Sequence, residues 1–209
     1  GDPTAGRAAN PGIVYASITG YGSGAGASIP GYDFVVQAVG GLMSITGEPD
    51  GPAQKVGVAL VDVLTGKDAV IGILAGIAAR ARTGLGLHVE VDLLSSLLGA
   101  LVNQASGYLA TGNPPQRLGN RHPSIAPYET LDCADGQLAV ACGNDGQFRR
   151  LAAAVGAPEL ADDAAYATNG ARVAHRDVLA ATLAQRLRTA SVAHWDGVLR
   201  AAGVPAGPV

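Results

Sequence analysis

The sequence is poor in charged residues and has no concentration of positive charge. Charged residues make up 15% of the 209 residues, and the formal net charge is −3. A weakly acidic chain without a basic block has little attraction for nucleic acid or an anionic membrane, so neither is expected as a partner. Apolar residues make up 48% of the chain, which predicts a globular protein and excludes a disordered one.

Cysteine is almost absent. Cys133 and Cys142 are the two in the chain, no C-x-x-C motif occurs, and no histidine lies at zinc-finger spacing from either. We therefore predict two reduced thiols, no disulfide and no metal site. Reduced cysteines favour a cytoplasmic location.

Long hydrophobic runs are also absent. The longest apolar stretch, residues 69–79, is too short to cross a bilayer and predicts a buried helix. Residues 1–7 lack the layout of a signal peptide and no methionine opens the chain. Residues 203–209 stop in a turn without a closing element. We expect both ends to be cut from a longer protein.

Several enzyme signatures are missing. Neither G-x-S-x-G nor H-E-x-x-H occurs, so serine hydrolases and zincins have no support. Gly22, Gly24 and Ala27 formally match the dinucleotide fingerprint G-x-G-x-x-A directly after a predicted strand. Residues 28–31 separate this match from the next helix, which favours a flexible loop beside a ligand over a nucleotide site.

Hydrophobic periodicity predicts an alternation of strands and helices. The first part is expected to contain a strand at 13–19, a helix at 33–45, a helix from 62 or 63 to 82, a strand at 88–93 and a helix at 94–110. This order predicts an α/β layer with a largely parallel sheet. After a boundary near 112–115 we expect strands at 128–131 and 137–142, joined by an Asp135-Gly136 turn, and helices at 146–155, 171–187 and 192–202. Ser191 is the expected N-cap of the last helix and Gly203 its terminating glycine.

Asp62 lies between apolar residues and at the start of the long predicted helix. A carboxylate buried among Val and Leu side chains loses hydration, which is costly unless it is paired or hydrogen-bonded. From this segment alone an ordinary N-cap aspartate is favoured. The functional alternative is a carboxylate nucleophile at the mouth of an α/β sheet.

Short motifs along nearly the whole chain resemble the family III coenzyme A transferases and follow the order found in that family. The matching segments are residues 10–22, 31–34, 40–43, 46–47, 57–59 with Asp62 and 65–66, 82–86, 117–120, 125–128, 135–136, 143–148 and 203–208. Each is weak alone. Their common order makes the resemblance specific.

The resemblance implies an α/β fold, with part of a Rossmann-like large domain for CoA binding and catalysis at 1–112, a linker with the substrate loop at 113–127, and a smaller α+β domain at 128–209, incomplete at its carboxyl end. It implies that Asp62 is the catalytic aspartate. Asp62 would attack an acyl-CoA thioester, form a mixed anhydride, and then form an aspartyl-CoA thioester that a carboxylic acid takes over.

Other residues acquire expected roles in the same way. Pro30, Gly31, Tyr32 and Asp33 fall where the family contacts CoA, which is a substrate and not a bound cofactor. Gly119, Asn120 and Arg121 fall at the mobile substrate loop, which would exclude water. Asp145 aligns near a glutamate that the related acyl-CoA racemases use. It is a candidate for a residue that supports the catalytic residues without contacting the substrate.

The family resemblance also implies partners. Acyl-CoA and a small carboxylic acid are the expected substrates, and family members form interlocked homodimers. Residues 94–96 and 125–128 resemble the succinate–hydroxymethylglutarate enzyme, which suggests succinyl-CoA as the donor. Because the family chain is about twice as long, this chain by itself is expected to be inactive.

Two alternatives remain open at this point. The first is an acyl-CoA racemase or epimerase, which Tyr32 disfavours because the racemases carry a proton-moving histidine there. The second is a non-catalytic nucleotide-binding module built on Gly22, Gly24 and Ala27.

Overall fold

Two units divide the chain in the computed structural model, which describes residues 3–209. The first unit ends at Arg117 and the second is Leu118–Val209, so the division falls inside the segment 113–127. Gly1 and Asp2, at the start expected to be truncated, lie outside the described residues. None of the helices in the described part is both long and apolar enough to cross a membrane.

The first unit mixes helices with a short parallel sheet. Its elements are α1 Pro3–Ala9, β1 Tyr15–Thr19, α2 Asp33–Val39, α3 Leu42–Ile45, α4 Leu60–Thr83, β2 His88–Asp92, α5 Leu93–Ala100 and α6 Val102–Thr111. Strand β1 pairs with β2 in parallel, with Tyr15 opposite His88 and Thr19 opposite Asp92. The predicted parallel pairing is confirmed for these two strands.

The core of the first unit joins α2, α4 and α5. Val36, Val61, Leu93 and Leu97 form one buried cluster. Helix α4 ends where Gly84 adopts a left-handed conformation with φ 75°, a backbone state that glycine takes without steric cost. At the other end of α4, the buried cluster that contains Val61 holds the start of the helix against α2 and α5.

The second unit is an antiparallel sheet covered by helices. Its elements are β3 Tyr128–Asp132, β4 Gln137–Ala141, α7 Asp145–Ala154, α8 Asn169–Ala174, α9 Arg176–Leu187, α10 Val192–Ala201 and β5 Ala206–Pro208, with a 3₁₀ helix at Pro158–Ala161. The sheet order is β3-β4-β5. Two predictions are confirmed here: the Ser191 hydroxyl caps α10 by accepting from the His194 amide at 3.2 Å, and Gly203 has φ 68°.

Four predicted features are wrong in detail. The helix expected at 33–45 breaks at Gly40 and Gly41, and Gly41 has φ 88°. The helix expected at 94–110 breaks beside Val102, whose φ is 41°, and the one at 171–187 breaks at His175. The carboxyl end does not stop in a turn, because β5 pairs with β4.

Both cysteine thiols are free and buried in the second unit. Desolvation by burial raises the pKa of Cys142 to about 12 and also raises that of Cys133. Neither thiol is therefore ionised near neutral pH, and both act as small core residues.

Arg172 is a fully buried cation that joins three segments of the second unit. Its guanidinium donates to the Ala126 carbonyl at 2.7 Å, to the Tyr166 carbonyl at 2.9 Å and to the Asp145 carboxylate at 2.8 Å. Its Cζ atom lies 4.5 Å from the centre of the Phe148 ring. Each of the three guanidinium nitrogens of Arg172 thus has a hydrogen-bond acceptor, as a buried charge requires.

The first prediction concerns Gly86, where the backbone approaches another segment closely. A Cβ atom at this position would overlap the carbonyl oxygen of Ile13. We expect Gly86→Ala to lower the free energy of unfolding by about 3 kcal/mol, because backbone atoms cannot move aside as a side chain can. Circular dichroism during denaturant unfolding measures the change.

The matched control is Gly99→Ala in helix α5, where an added Cβ would meet no atom within 4 Å. This change should stabilise the helix by up to about 1 kcal/mol. Equal effects at the two positions would contradict the packing described for Gly86.

The second prediction concerns Arg172. We expect Arg172→Met to lower the free energy of unfolding of the second unit by about 3 kcal/mol, because two buried carbonyl groups and a carboxylate lose their donor. The single tryptophan of the chain, Trp195, lies in α10 of this unit, so its fluorescence follows the transition. Arg149→Met, at an exposed position, should change the value by less than about 0.5 kcal/mol. A small effect at Arg172 would show that its bonds contribute little.

Candidate active site

Asp62 is exposed to solvent at the third position of helix α4. The helix begins at Leu60 and its N-cap is Ala59, whose side chain makes no capping bond. Val61 is fully buried, whereas Asp62 is exposed, because successive helical residues point about 100° apart. The expectation that Asp62 is an ordinary N-cap is therefore wrong.

Asp33 supplies the cap that α4 lacks. Its Oδ1 atom accepts a hydrogen bond from the Val61 amide at 2.7 Å and a longer one from the Asp62 amide at 3.4 Å. Unsatisfied amides at a helix start attract negative charge, and the helix dipole acts in the same sense. Asp33 is also the first residue of α2, so one carboxylate ties the starts of two helices together.

The Asp62 carboxylate itself remains available. Among residues 3–209, no protein group makes a hydrogen bond to its oxygens, whereas the main-chain amide of the same residue is bound by Asp33. A carboxylate that is held by its backbone and open at its oxygens is suited to attack an electrophile from outside.

Gln37 completes the contacts around Asp33. Its Nε2 group donates to Asp33 Oδ2 at 2.6 Å, and its Oε1 atom accepts from the Val56 amide at 2.9 Å. The side chain is fully buried. Both oxygens of Asp33 are thus engaged inside the protein, at the start of α4.

The segment Pro30, Gly31 and Tyr32 lies immediately before α2. Pro30 is exposed and Tyr32 is 73% exposed. A Cβ atom on Gly31 would overlap the Cα atom of Gly20, so the loop that follows β1 is closed at its base by two glycines in contact. This segment is brought close to Asp62 through its neighbour Asp33.

The glycine-rich loop does not have the setting of a dinucleotide fingerprint. Residues 22–28 form successive turns, and the next helix, α2, begins only at Asp33. The fingerprint requires a helix that opens at the glycines, because its amides bind the pyrophosphate. This geometry removes the support for a nucleotide-binding module built on Gly22, Gly24 and Ala27.

Gly119, Asn120 and Arg121 lie in the second unit and are attached to its sheet. Gly119 has φ 59°. The side-chain Nδ2 group of Asn120 donates to the Thr130 hydroxyl at 3.2 Å. Arg121 donates to Glu129 at 3.1 Å and to Asp177 at 2.6 Å. In the described structure this loop is therefore held by side-chain bonds to β3 and α9.

Glu129 is the buried end of this ion cluster. Desolvation by burial raises the pKa of Glu129, while the charge of Arg121 opposes the rise. A cavity of about 360 Å³ lies beside the loop, lined by Asn120, Glu129, Thr130 and small residues of β4 and β5. The loop thus borders an open space on the sheet.

Asp145 is engaged in the frame of the second unit. It begins helix α7, and its carboxylate pairs with the buried Arg172. Its observed contacts support the fold of that unit. No group of three or more metal-binding side chains occurs within residues 3–209.

Sequence reasoning missed Gln37 and the capping role of Asp33. The i, i+4 spacing of Asp33 and Gln37, with Val36 between them, places both side chains on one helix face and could have indicated the pair. The bond from Asp33 to Val61 spans 28 positions, and no local pattern reports it.

The chain is similar in sequence to curated CoA-transferases over most of its length. The chain is 51% identical to a succinate–glutarate CoA-transferase of Agrobacterium fabrum over 171 residues, which is 81% of this chain and 43% of that protein. It is 42% identical to an acetyl-CoA:oxalate CoA-transferase of Acetobacter aceti over 202 residues, 96% of this chain and 52% of that protein. The chain spans about half the length of the curated relatives it matches.

Solved structures agree with the fold. A CAIB/BAIF family protein from Brucella suis superposes with a TM-score of 0.82 at 48% identity, covering 100% of this chain and 55% of that one. A protein from Mycobacterium tuberculosis gives a TM-score of 0.88 at 27% identity, with the same two coverages. The family model described as CoA-transferase family III matches residues 2–209. The chain therefore belongs to CoA-transferase family III.

Proposed function

We propose that the full-length protein carrying this chain transfers CoA from an acyl-CoA donor to a carboxylic acid, with Asp62 as the nucleophile. The observation that carries the proposal is the exposed Asp62 carboxylate at the start of α4, held by its amide and free at its oxygens. Membership in CoA-transferase family III gives the reaction class. Relatives named as CoA-transferases act on the same type of substrate.

The proposed reaction conserves every acyl group and thiol. An oxygen of Asp62 attacks the thioester carbonyl of the donor, CoA leaves as a thiolate, and a mixed anhydride remains. The thiolate then attacks the Asp62 carbonyl carbon and releases the donor acid, which leaves an aspartyl-CoA thioester. The acceptor carboxylate repeats the two steps in reverse and leaves as the new CoA ester. Covalent catalysis thus divides one difficult exchange into easier ones.

The other residues are proposed to serve binding and exclusion of water. Pro30 and Tyr32 are exposed and Gly31 is half-buried just before α2. These three residues would contact CoA, which is a substrate, and Asp33 would support them by holding the start of α4. The loop of Gly119, Asn120 and Arg121 would contact the acyl group and keep water from the anhydride. Asp145 would act only by supporting the second unit through Arg172.

The wider architecture follows the family. We propose that residues 1–112 belong to a Rossmann-like large domain, that residues 128–209 belong to a small domain, and that the full-length protein is a cytoplasmic interlocked homodimer. The parallel β1–β2 pair is consistent with such a domain. Racemisation has no comparable support, because Tyr32 stands where a proton-moving histidine would be required.

We propose a dicarboxylic acid as the acceptor and succinyl-CoA as a donor. Relatives are named for succinate with glutarate, for succinyl-CoA with mesaconate, and for acetyl-CoA with oxalate. Glutarate, mesaconate and oxalate each carry a second carboxylate, which does not become attached to CoA. A site that pairs with this second charge rejects monocarboxylates, since its own groups would be left unpaired.

The third prediction tests the nucleophile. Full-length protein incubated with succinyl-CoA should gain a hydroxylamine-sensitive adduct on the peptide that contains Asp62, measured by mass spectrometry. Asp62→Asn should lack this adduct and lose at least about 10³-fold in kcat, because an amide is a poor nucleophile. Asp68→Asn, at an exposed position on the same helix, should keep the adduct.

CoA exchange that persists in Asp62→Asn, or an adduct at another position, would overturn the assignment. Exchange of the α-proton with solvent deuterium in the absence of an acceptor would support a racemase in its place.

The fourth prediction tests the acceptor. With succinyl-CoA as donor, kcat/KM for glutarate, oxalate or mesaconate should exceed that for butyrate by about tenfold or more. Chromatographic detection of the new CoA ester measures the rates. Equal values for mono- and dicarboxylates would contradict the proposed acceptor class.

A further inference from the structure

Gln37 is a buried amide that the proposed reaction leaves without a role. Its side chain is fully buried in the first unit. One end of the amide donates to Asp33 Oδ2 at 2.6 Å, and the other accepts from the Val56 amide at 2.9 Å. It therefore joins α2 to the loop that precedes α4.

A continuous chain of hydrogen bonds leads from this loop to the nucleophile. The Val56 amide donates to Gln37, Gln37 donates to Asp33, and Asp33 accepts from the amides of Val61 and Asp62. Without Gln37 the Asp33 carboxylate could rotate about its terminal bond and release the amides of α4. Gln37 thus holds the plane of the Asp33 carboxylate in the orientation that leaves its other oxygen facing the helix.

The amide chemistry of Gln37 is what the position requires. An apolar side chain of the same size would leave both the Val56 amide and Asp33 Oδ2 without a partner. A glutamate could still accept from Val56, but its ionised carboxylate would repel that of Asp33. Only a side chain with one donor and one acceptor satisfies both neighbours.

We propose that Gln37 is a positioning residue of the transferase: acting through Asp33, it fixes the first turn of α4 and thereby the direction of the Asp62 carboxylate. This inference rests on the proposed function. Displacement of a reacting group by about 1 Å can reduce a rate on the order of 100-fold. Both oxygens of Asp33 are bound by Gln37 and by the amides of α4, and none of these bonds involves Pro30 or Tyr32. Loss of Gln37 should therefore affect the chemical step more than the binding of CoA.

The test compares Gln37→Glu and Gln37→Met in the full-length protein. Both should lower kcat by on the order of 10- to 100-fold while KM for succinyl-CoA changes by less than about twofold. Hydrogen exchange measured by mass spectrometry should be faster in the peptide that covers the start of α4. Gln54→Glu, at an exposed position of the same loop, should leave both readouts unchanged.

A pH profile separates positioning from general loss of structure. The charged groups around position 37 are Asp33 on α2, Lys55 in the loop, whose Nζ group donates to the Val56 carbonyl, and Asp62 on α4. In Gln37→Glu, acidification protonates the new carboxylate, which then donates to Asp33 as the amide does. The kcat of this variant relative to the unmodified protein should therefore rise as the pH falls, and Gln37→Met should show no such recovery.

The outcomes are distinct. Unchanged kcat in both variants, or faster exchange at α4 with unchanged kcat, overturns the positioning role. Loss of kcat without any acid recovery in Gln37→Glu assigns Gln37 to the stability of the fold only and also overturns it. An unmodified protein without CoA transfer and without an Asp62 adduct refutes the proposed function, whereas the exchange data still decide whether Gln37 holds the first turn.

Discussion

The hydrogen bond from the Val61 amide to the Asp33 carboxylate is the contact on which the candidate site depends. It caps a 24-residue helix whose own N-cap residue, Ala59, offers no side-chain acceptor. Because Asp33 takes the capping role, Asp62 can point its carboxylate to solvent while its backbone stays fixed. Burial of Val36 and Val61 in one cluster keeps the two helices together beside this partly buried bond.

Buried polar side chains organise both units in the same manner. Gln37 joins α2, a loop and, through Asp33, the start of α4. Arg172 joins Ala126, Tyr166 and Asp145 in the second unit. In each case one fully buried side chain makes hydrogen bonds to more than one main-chain or carboxylate group. Loss of that side chain leaves all of these groups without their partner. Such groups hold several chain segments together at once.

Periodicity and capping rules predicted most elements, including the parallel β1–β2 pair and the Ser191 cap, because these depend on neighbours in sequence. The same rules favoured Asp62 as an N-cap, because they consider only neighbours in sequence. In the structure the capping carboxylate is that of Asp33, which belongs to another helix. The same rules also predicted that α2 continues past Gly40. A Cβ atom at Gly40 would overlap the side chain of Leu97 in α5, a contact that periodicity does not report. Ordered family motifs, and not periodicity, directed attention to Asp62.

The most direct test of the account follows the oxygen atoms of the acceptor. In the proposed reaction the acceptor carboxylate attacks the aspartyl-CoA thioester, and its oxygen stays on the aspartate when the new CoA ester departs. Full-length protein that turns over a dicarboxylate labelled with heavy oxygen should therefore carry the label in Asp62, as measured by mass spectrometry of its peptide. Turnover that leaves Asp62 unlabelled, with the label retained in the acid and its ester, would contradict a covalent role for this residue.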